Sequence, residues 1–391
     1  MVQRTRNLRL AELLDPACPA LRLATGGDVS AAAQADHEHL LRTLASFPPG
    51  SVSASIQFLY TPTSPNPQDR LSVCLVGHAH TEEAAVGLSI LLRNGPVRRM
   101  HKLMDVGEAA IPWDKFDAAC DIVRPQSVFA ATVPPEFNAK ALPAYYTIRP
   151  FAPRLDNDYL LLDRILSALE EPAFLEVRVE PADIAGEVTA HVHYLSRLQQ
   201  INRSWDHDED DLVGEDWGLG EGHHRSTQSV KPLRTRDPLV DDVLRQAHRF
   251  HEELAVPHLA FHIRSYAHTK GLARLLASVV AESAFEEGSY YLFDSTRGEG
   301  FFESLLQGPH RQRVTGAPAL HRLLAGHNIA LYDGLSRLAS LAPVDELASA
   351  FRFPMASQGS PRCIRKNTDP PLLDEDELFV LGEDAQFLEA P

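Results

Sequence analysis

Two stretches of this chain, 188 residues apart, can be laid on each other without a gap. Leu71–Leu92 and Leu259–Val280 match at six of 22 positions. Each reads as an apolar strand, then Ala-His-Thr, then an amphipathic helix. The shared tripeptides are Ala79-His80-Thr81 and Ala267-His268-Thr269. A duplicated strand–helix unit predicts two related lobes whose sheets adjoin or face each other. The chain of 391 residues is long enough to bury two cores.

The pattern around the repeats points to a mixed α/β (α+β) fold. Val52–Tyr60 is rich in strand formers and runs into the breaker-rich stretch Thr61–Pro67. Leu71–Gly77 is nearly all apolar, as a central strand is. Thr81–Asn94 reads as a helix with acids in its first turn. Residues 98–150 look irregular, with strands near Met100–Val106 and Tyr145–Ile148. Tyr159–Leu169 has helical periodicity. Phe174–Val179 alternates apolar and charged residues, which predicts a strand with one wet face. Asp183 is placed to cap a helix reaching about Ile201. Asp237-Pro238 opens another helix. Leu259–Tyr266 is a strand, followed by a helix striped with Leu272, Leu275, Leu276, Val279 and Val280. Ser289–Phe293 is a short strand, and Leu320–Phe351 is mostly helical.

These readings divide the chain as follows. Residues 1–50 form an N-terminal extension and 51–170 a first α/β lobe. Residues 171–300 form a second lobe, with a long helix pair and an acidic insertion at 204–236. A helical segment and linker occupy 301–371, and an acidic tail 372–391.

Chemistry-bearing motifs are sparse. No Gly-x-x-x-x-Gly-Lys-Ser/Thr loop is present to ring phosphates with backbone N–H groups, so no nucleotide cofactor is expected. The glycine-rich stretch Gly214–Gly222 lacks a Lys. No Gly-x-Ser-x-Gly elbow occurs, so no catalytic residue is assigned. Cys18, Cys74, Cys120 and Cys363 lie far apart, which suggests neither a zinc site nor a disulfide framework. Together with the lack of a signal peptide or membrane span, this predicts a cytoplasmic protein.

Weak metal candidates remain. His78 and His80 are spaced to share one face of a strand, whereas His191 and His193 are not aligned on a helix. Asp206, Asp208 and Asp210 begin like a calcium loop, but Asp211 stands where Gly is needed and Trp217 where a bidentate Glu is needed. A metal-dependent hydrolase or nuclease using such His and Asp clusters is the alternative reading. The net charge of −16 opposes direct contact with a phosphate backbone.

Near the C-terminus stand Leu-Ala-Ser-Ala-Phe-Arg-Phe-Pro (347–354), a Ser/Gly turn, and Arg-Lys-Asn-Thr-Asp-Pro-Pro (365–371). This segment resembles the one that precedes the motor domain in HerA-like DNA translocases and conjugative type IV secretion ATPases. Val52–Tyr60 and the run from Pro238 to Phe293 are loosely similar to the N-terminal regions of those proteins. The resemblance implies a non-catalytic assembly or partner-docking module, acting in conjugation or antiphage defence. Its partners would be further copies of itself, a separate ATPase motor subunit, or both, with DNA reached only indirectly. Phe351, Arg352, Phe353, Pro354, Arg362, Arg365 and Lys366 would form the partner interface.

Overall fold

The computed structural model describes residues 4–107, 110–130, 142, 144–154, 165–166, 168–210, 238–297, 335 and 337–356. Eleven strands and seven helices are present among them. The strands are β1 (Arg4–Leu10), β2 (Val52–Tyr60), β3 (Leu71–Ala79), β4 (Leu103–Val106), β5 (Ala118–Val123), β6 (Gln126–Ala130), β7 (Ala144–Ile148), β8 (Ala173–Pro181), β9 (His258–Ala267), β10 (Tyr291–Thr296) and β11 (Leu341–Pro343). The helices are α1 (Pro19–Ala24), α2 (Val29–Ala45), α3 (Glu82–Asn94), α4 (Ala185–Asp210), α5 (Pro238–Glu253), α6 (Lys270–Ala284) and α7 (Val344–Leu347).

Nine strands form one antiparallel sheet in the order β10-β5-β9-β8-β2-β3-β1-β4, with β11 beside β9. β6 and β7 make a separate hairpin. The sheet is two copies of one plan. In the first half β4-β1-β3-β2 lie side by side; in the second β10-β5-β9-β8 do. With α2 and α3, the first half runs β-α-β-β-α-β, a split βαβ arrangement.

The correspondence extends to individual residues. Arg4 faces Ala79 in the first half and Ala118 faces Ala267 in the second. Ser53 faces His78, and Phe174 faces Tyr266. Residue 79 thus corresponds to 267, and 53 to 174. The halves join where β2 meets β8, and there Ile56 pairs with its own counterpart, Val177. A local two-fold axis passes between these two residues. Both are fully buried.

The tripeptide seen in sequence does the same job twice. Thr81 and Thr269 both take extended backbone and accept a hydrogen bond from the third helical N–H, that of Ala84 and of Leu272. Each thereby satisfies one orphan donor at a helix start. The copies differ at the next contact. Gly77 lies under α3, where an added Cβ would stand 2.4 Å from Leu92 Cδ1 and 3.1 Å from Leu88 Cδ2. Its counterpart Ser265 has room for a hydroxyl, which donates to Ala273 O at 2.6 Å. Gly77→Ala is expected to overpack this site and destabilise by about 1–3 kcal/mol. Chemical denaturation measures it, and an unchanged midpoint would contradict the close packing.

The helix-facing side of the sheet carries the main core. It includes Val52, Ala54, Ile56 and Phe58 of β2, Leu175, Val177 and Val179 of β8, and the inner faces of α2, α3 and α6. A second core joins α4, α5 and the β6–β7 hairpin to Ala260. The Tyr194 hydroxyl accepts from Tyr146 N and donates to Tyr146 O, both at 2.8 Å, and so pins α4 to β7.

Several expectations need correcting. Arg4–Leu10 is a strand with a neighbour on either side, and α1 and α2 follow it within the expected extension. The stretch read as irregular contains β5, which lies between β9 and β10. The expected wet face of β8 is buried on both sides. α4 continues to Asp210, so the first part of the expected insertion is helical. Residues 339–343 are not helical throughout, since Leu341–Pro343 pair with His258–Ala260. Tyr159–Leu169, residues 211–237 and the tail fall largely or wholly outside the described residues. No helix among the described residues is long and apolar enough to cross a membrane.

Candidate functional site

The face of the sheet away from α2, α3 and α6 is polar, yet buried. Alternation along β2 and β8 places Ser53, Ser55 and Gln57 there, with Glu176, Arg178 and Glu180 beside them. Strand register then lines up a row across four strands. Gln57 faces Glu176, Glu176 faces Arg264, and Arg264 faces Asp121. Gln57 Nε2 donates to Glu176 Oε1 at 3.0 Å. Arg264 Nε donates to Asp121 Oδ1 at 2.6 Å, and its Nη1 reaches the Tyr266 hydroxyl at 3.4 Å. Arg178 Nη2 donates to Ser53 Oγ at 3.1 Å.

Such charges are tolerable in the interior only because they are matched. Burial pushes the Asp121 carboxyl up, against the pull of Arg264. For Arg264, burial is the largest influence and acts downward, but Asp121 and Tyr266, through charge and hydrogen bonds together, outweigh it and the guanidinium ends well above its ordinary value. Phe116, Phe174, Tyr266 and Trp113 cover this end of the row with edge-to-face and tilted contacts.

A second polar centre lies where β5 ends. Arg124 is fully buried and donates through Nε and Nη2 to both carboxylate oxygens of Glu346. Glu346 Oε2 also accepts from Phe151 N at 2.8 Å. Arg124 sits over the Phe250 ring, 5.3 Å from its centroid, and its own N–H donates to Ala339 O at 3.3 Å. One ion pair therefore ties β5, α5 and the segment around α7 together.

A third centre is histidine-rich. His37 is buried on α2, with Nδ1 2.6 Å from Ala33 O and Nε2 3.2 Å from Phe353 N. A carbonyl only accepts and an amide N–H only donates, so the neutral ring with its proton on Nδ1 fits both partners. Burial holds His37 down at about 4, with Arg352 pushing the same way. His101 stands edge-on to His37 and Phe353 and is held well below the ordinary range, first by burial and then by His37.

The expected interface residues divide between two settings. Phe351, Arg352, Phe353 and Pro354 are all buried within the chain. Arg352 Nη2 donates to Ser283 O at 3.2 Å, and Ala356 N to Leu14 O at 2.7 Å. Arg362, Arg365 and Lys366 lie outside the described residues. His78 is buried with Nδ1 3.1 Å from Thr5 Oγ1, while His80 stands beyond the end of β3. His191 is buried and His193 exposed. Asp206, Asp208 and Asp210 lie on the helical backbone of α4, not in a loop. No group of three or more His, Cys, Asp or Glu among the described residues is arranged to hold a metal ion. Burial raises the Cys74 thiol, as expected of a packing residue.

Sequence reading missed Arg124, Glu346, Asp121 and Arg264. Their partners are 222 and 143 residues away; strand register brings Asp121 to Arg264, and the placing of α7 beside the end of β5 brings Glu346 to Arg124. No known protein family and no curated protein matches the chain.

Proposed function

We propose that this chain is a non-catalytic assembly or partner-docking module of a HerA-like or conjugation-type DNA-translocating system. The support is the segment that carries the resemblance, Phe351–Pro354, and the way it is held. Phe351 and Phe353 are core residues, Phe353 is clasped by His37, and Arg352 is bonded to Ser283, near the end of α6. Four buried residues in succession fix the path of the chain against the sheet. On this reading they position the docking surface, and contact with a partner belongs to Arg362, Arg365 and Lys366.

The test is direct. Purified protein is assayed for ATP turnover and, by light scattering, for self-association or capture of a HerA-like motor subunit. Association without ATP turnover is expected. Replacing Arg362, Arg365 and Lys366 together by Ala should reduce capture at least tenfold, a loss of about 1.4 kcal/mol. Robust ATP turnover by the purified chain would overturn the proposal.

A further inference from the structure

Like charges gather at the C-terminal end of α3, on the β1–β4 edge of the sheet. Arg6 of β1 reaches α3 and donates through Nη1 to Ser89 Oγ at 2.7 Å. Its Nη2 bonds both carboxylate oxygens of Asp105, on β4, at 2.8 and 2.9 Å. Arg93 lies one turn beyond Ser89 on the same face of α3. Arg98 follows in the single turn Pro96–Arg99. Arg93 is exposed and Arg98 half-buried. Burial lowers the Arg6 guanidinium against the pull of Asp105, and Arg93 and Arg98 push it the same way. Asp105 answers Arg6, and Asp36 answers Arg99; among the described residues, Arg93 and Arg98 form no ion pair. The Nε atoms of Arg6 and Arg98 are buried without a hydrogen-bond partner. Within a chain of net charge −16, such a group of unbalanced cations is a surface for an anion.

The last described residues lie beside it. Met355 bridges Leu14, and Ala356 N donates to Leu14 O at 2.7 Å. Met355 shares a small core with Met100, close after Arg98 in sequence, and the Phe353 ring stands 4.9 Å from that of His101. From there the sequence leads to Asp374-Glu375-Asp376-Glu377, with no Lys or Arg from residue 372 on. Fully extended, the stretch from 356 to 374 spans about 60 Å, ample to return to the cluster. We infer that the Arg6–Arg93–Arg98 cluster is the docking site of this chain's own acidic segment, residues 374–377. Guanidinium groups offer carboxylates charge-assisted hydrogen bonds. Tethering favours this occupant over a free polyanion: the acids arrive at high effective concentration, whereas the net charge of the chain repels a phosphate backbone.

Carbodiimide labelling of carboxylates with glycine ethyl ester, read by mass spectrometry, tests this on the full chain. Labelling of residues 374–377 is compared in low salt and in about 0.5 M salt, with the exposed Glu83 as reference. Salt should raise it about threefold or more in the wild type, because screening releases the acids. Arg93→Gln with Arg98→Gln should raise it as much in low salt, and the wild-type salt series holds whether or not that variant folds. The protection should be the same at every protein concentration, since one chain supplies both sides. Labelling left unchanged by salt or by the substitutions would overturn the inference. So would protection lost on dilution, the mark of a second copy, or capture of a single-stranded oligonucleotide by the cluster while 374–377 label freely.

Discussion

Lowering the pH from 7.5 to 5 is expected to remove several kcal/mol of stability, well before most carboxylates titrate. The cause is a set of histidines buried in their neutral form. His37, His191 and His258 are held at about 4, in each case chiefly by burial. His101 and His262 are likewise held well below the ordinary range, chiefly by burial. An unfolded histidine takes a proton near pH 6.5, so between about 6.5 and 4 the unfolded chain binds more protons than the folded one. Stability must then fall with pH across that window. By linkage each of the three costs about 2 kcal/mol at pH 5 and about 3 kcal/mol by pH 4. Raised carboxyls work the other way and favour the folded state in acid, Glu253 at about 7 and Asp36, Asp121 and Glu346 each pushed up chiefly by burial; the five histidines outnumber them. A whole domain holds only about 5–15 kcal/mol, so acid unfolding is expected above pH 4. Urea midpoints measured at several pH values check this, and His191→Phe should flatten the slope. A stability profile level from pH 7.5 to 5 would exclude buried neutral histidines as its determinant.

The second large effect concerns Glu346. Glu346→Ala should destabilise by about 3–5 kcal/mol, because it strands the fully buried Arg124 and removes the acceptor for Phe151 N. Arg124→Met with Glu346→Leu should recover most of that loss, since an apolar pair of similar volume carries no desolvation cost. A double-mutant cycle in denaturant decides it. Single and double variants of equal stability would mean that the ion pair is not what holds the 335–356 segment in place.

How much of this was legible beforehand follows from what each element is made of. β3, α3, β9 and α6 show themselves because their apolar residues repeat at the strand or helix period, and Thr81 and Thr269 mark the helix starts. β1 hides because Arg-Thr-Arg-Asn-Leu-Arg-Leu offers few apolar residues, and β5 because it is short. β8 was visible as a strand, but its buried polar side was not. Glu176 and Arg178 look solvated until one knows that Gln57 and Arg264 face Glu176 and that Ser53 accepts from Arg178. That knowledge is register, a relation between distant segments that no local period encodes. The sequence offers Phe351–Pro354 as part of a partner interface, whereas these residues are buried within the chain, held by His37 and Ser283 from far away in the sequence.

The two-fold plan of the sheet has one more consequence. The halves join by backbone pairing around Ile56 and Val177 and by the unlike side-chain pairs Gln57–Glu176 and Ser53–Arg178 on the polar face. There the two copies are specialised. On that face, positions 55, 57 and 76 are Ser, Gln and Val, while their counterparts 176, 178 and 264 are Glu, Arg and Arg; Asn7 answers to Asp121. On this face the first half carries little charge beyond Arg9 of β1, while the second carries Asp121, Glu176, Arg178 and Arg264, so a symmetric backbone presents an asymmetric field.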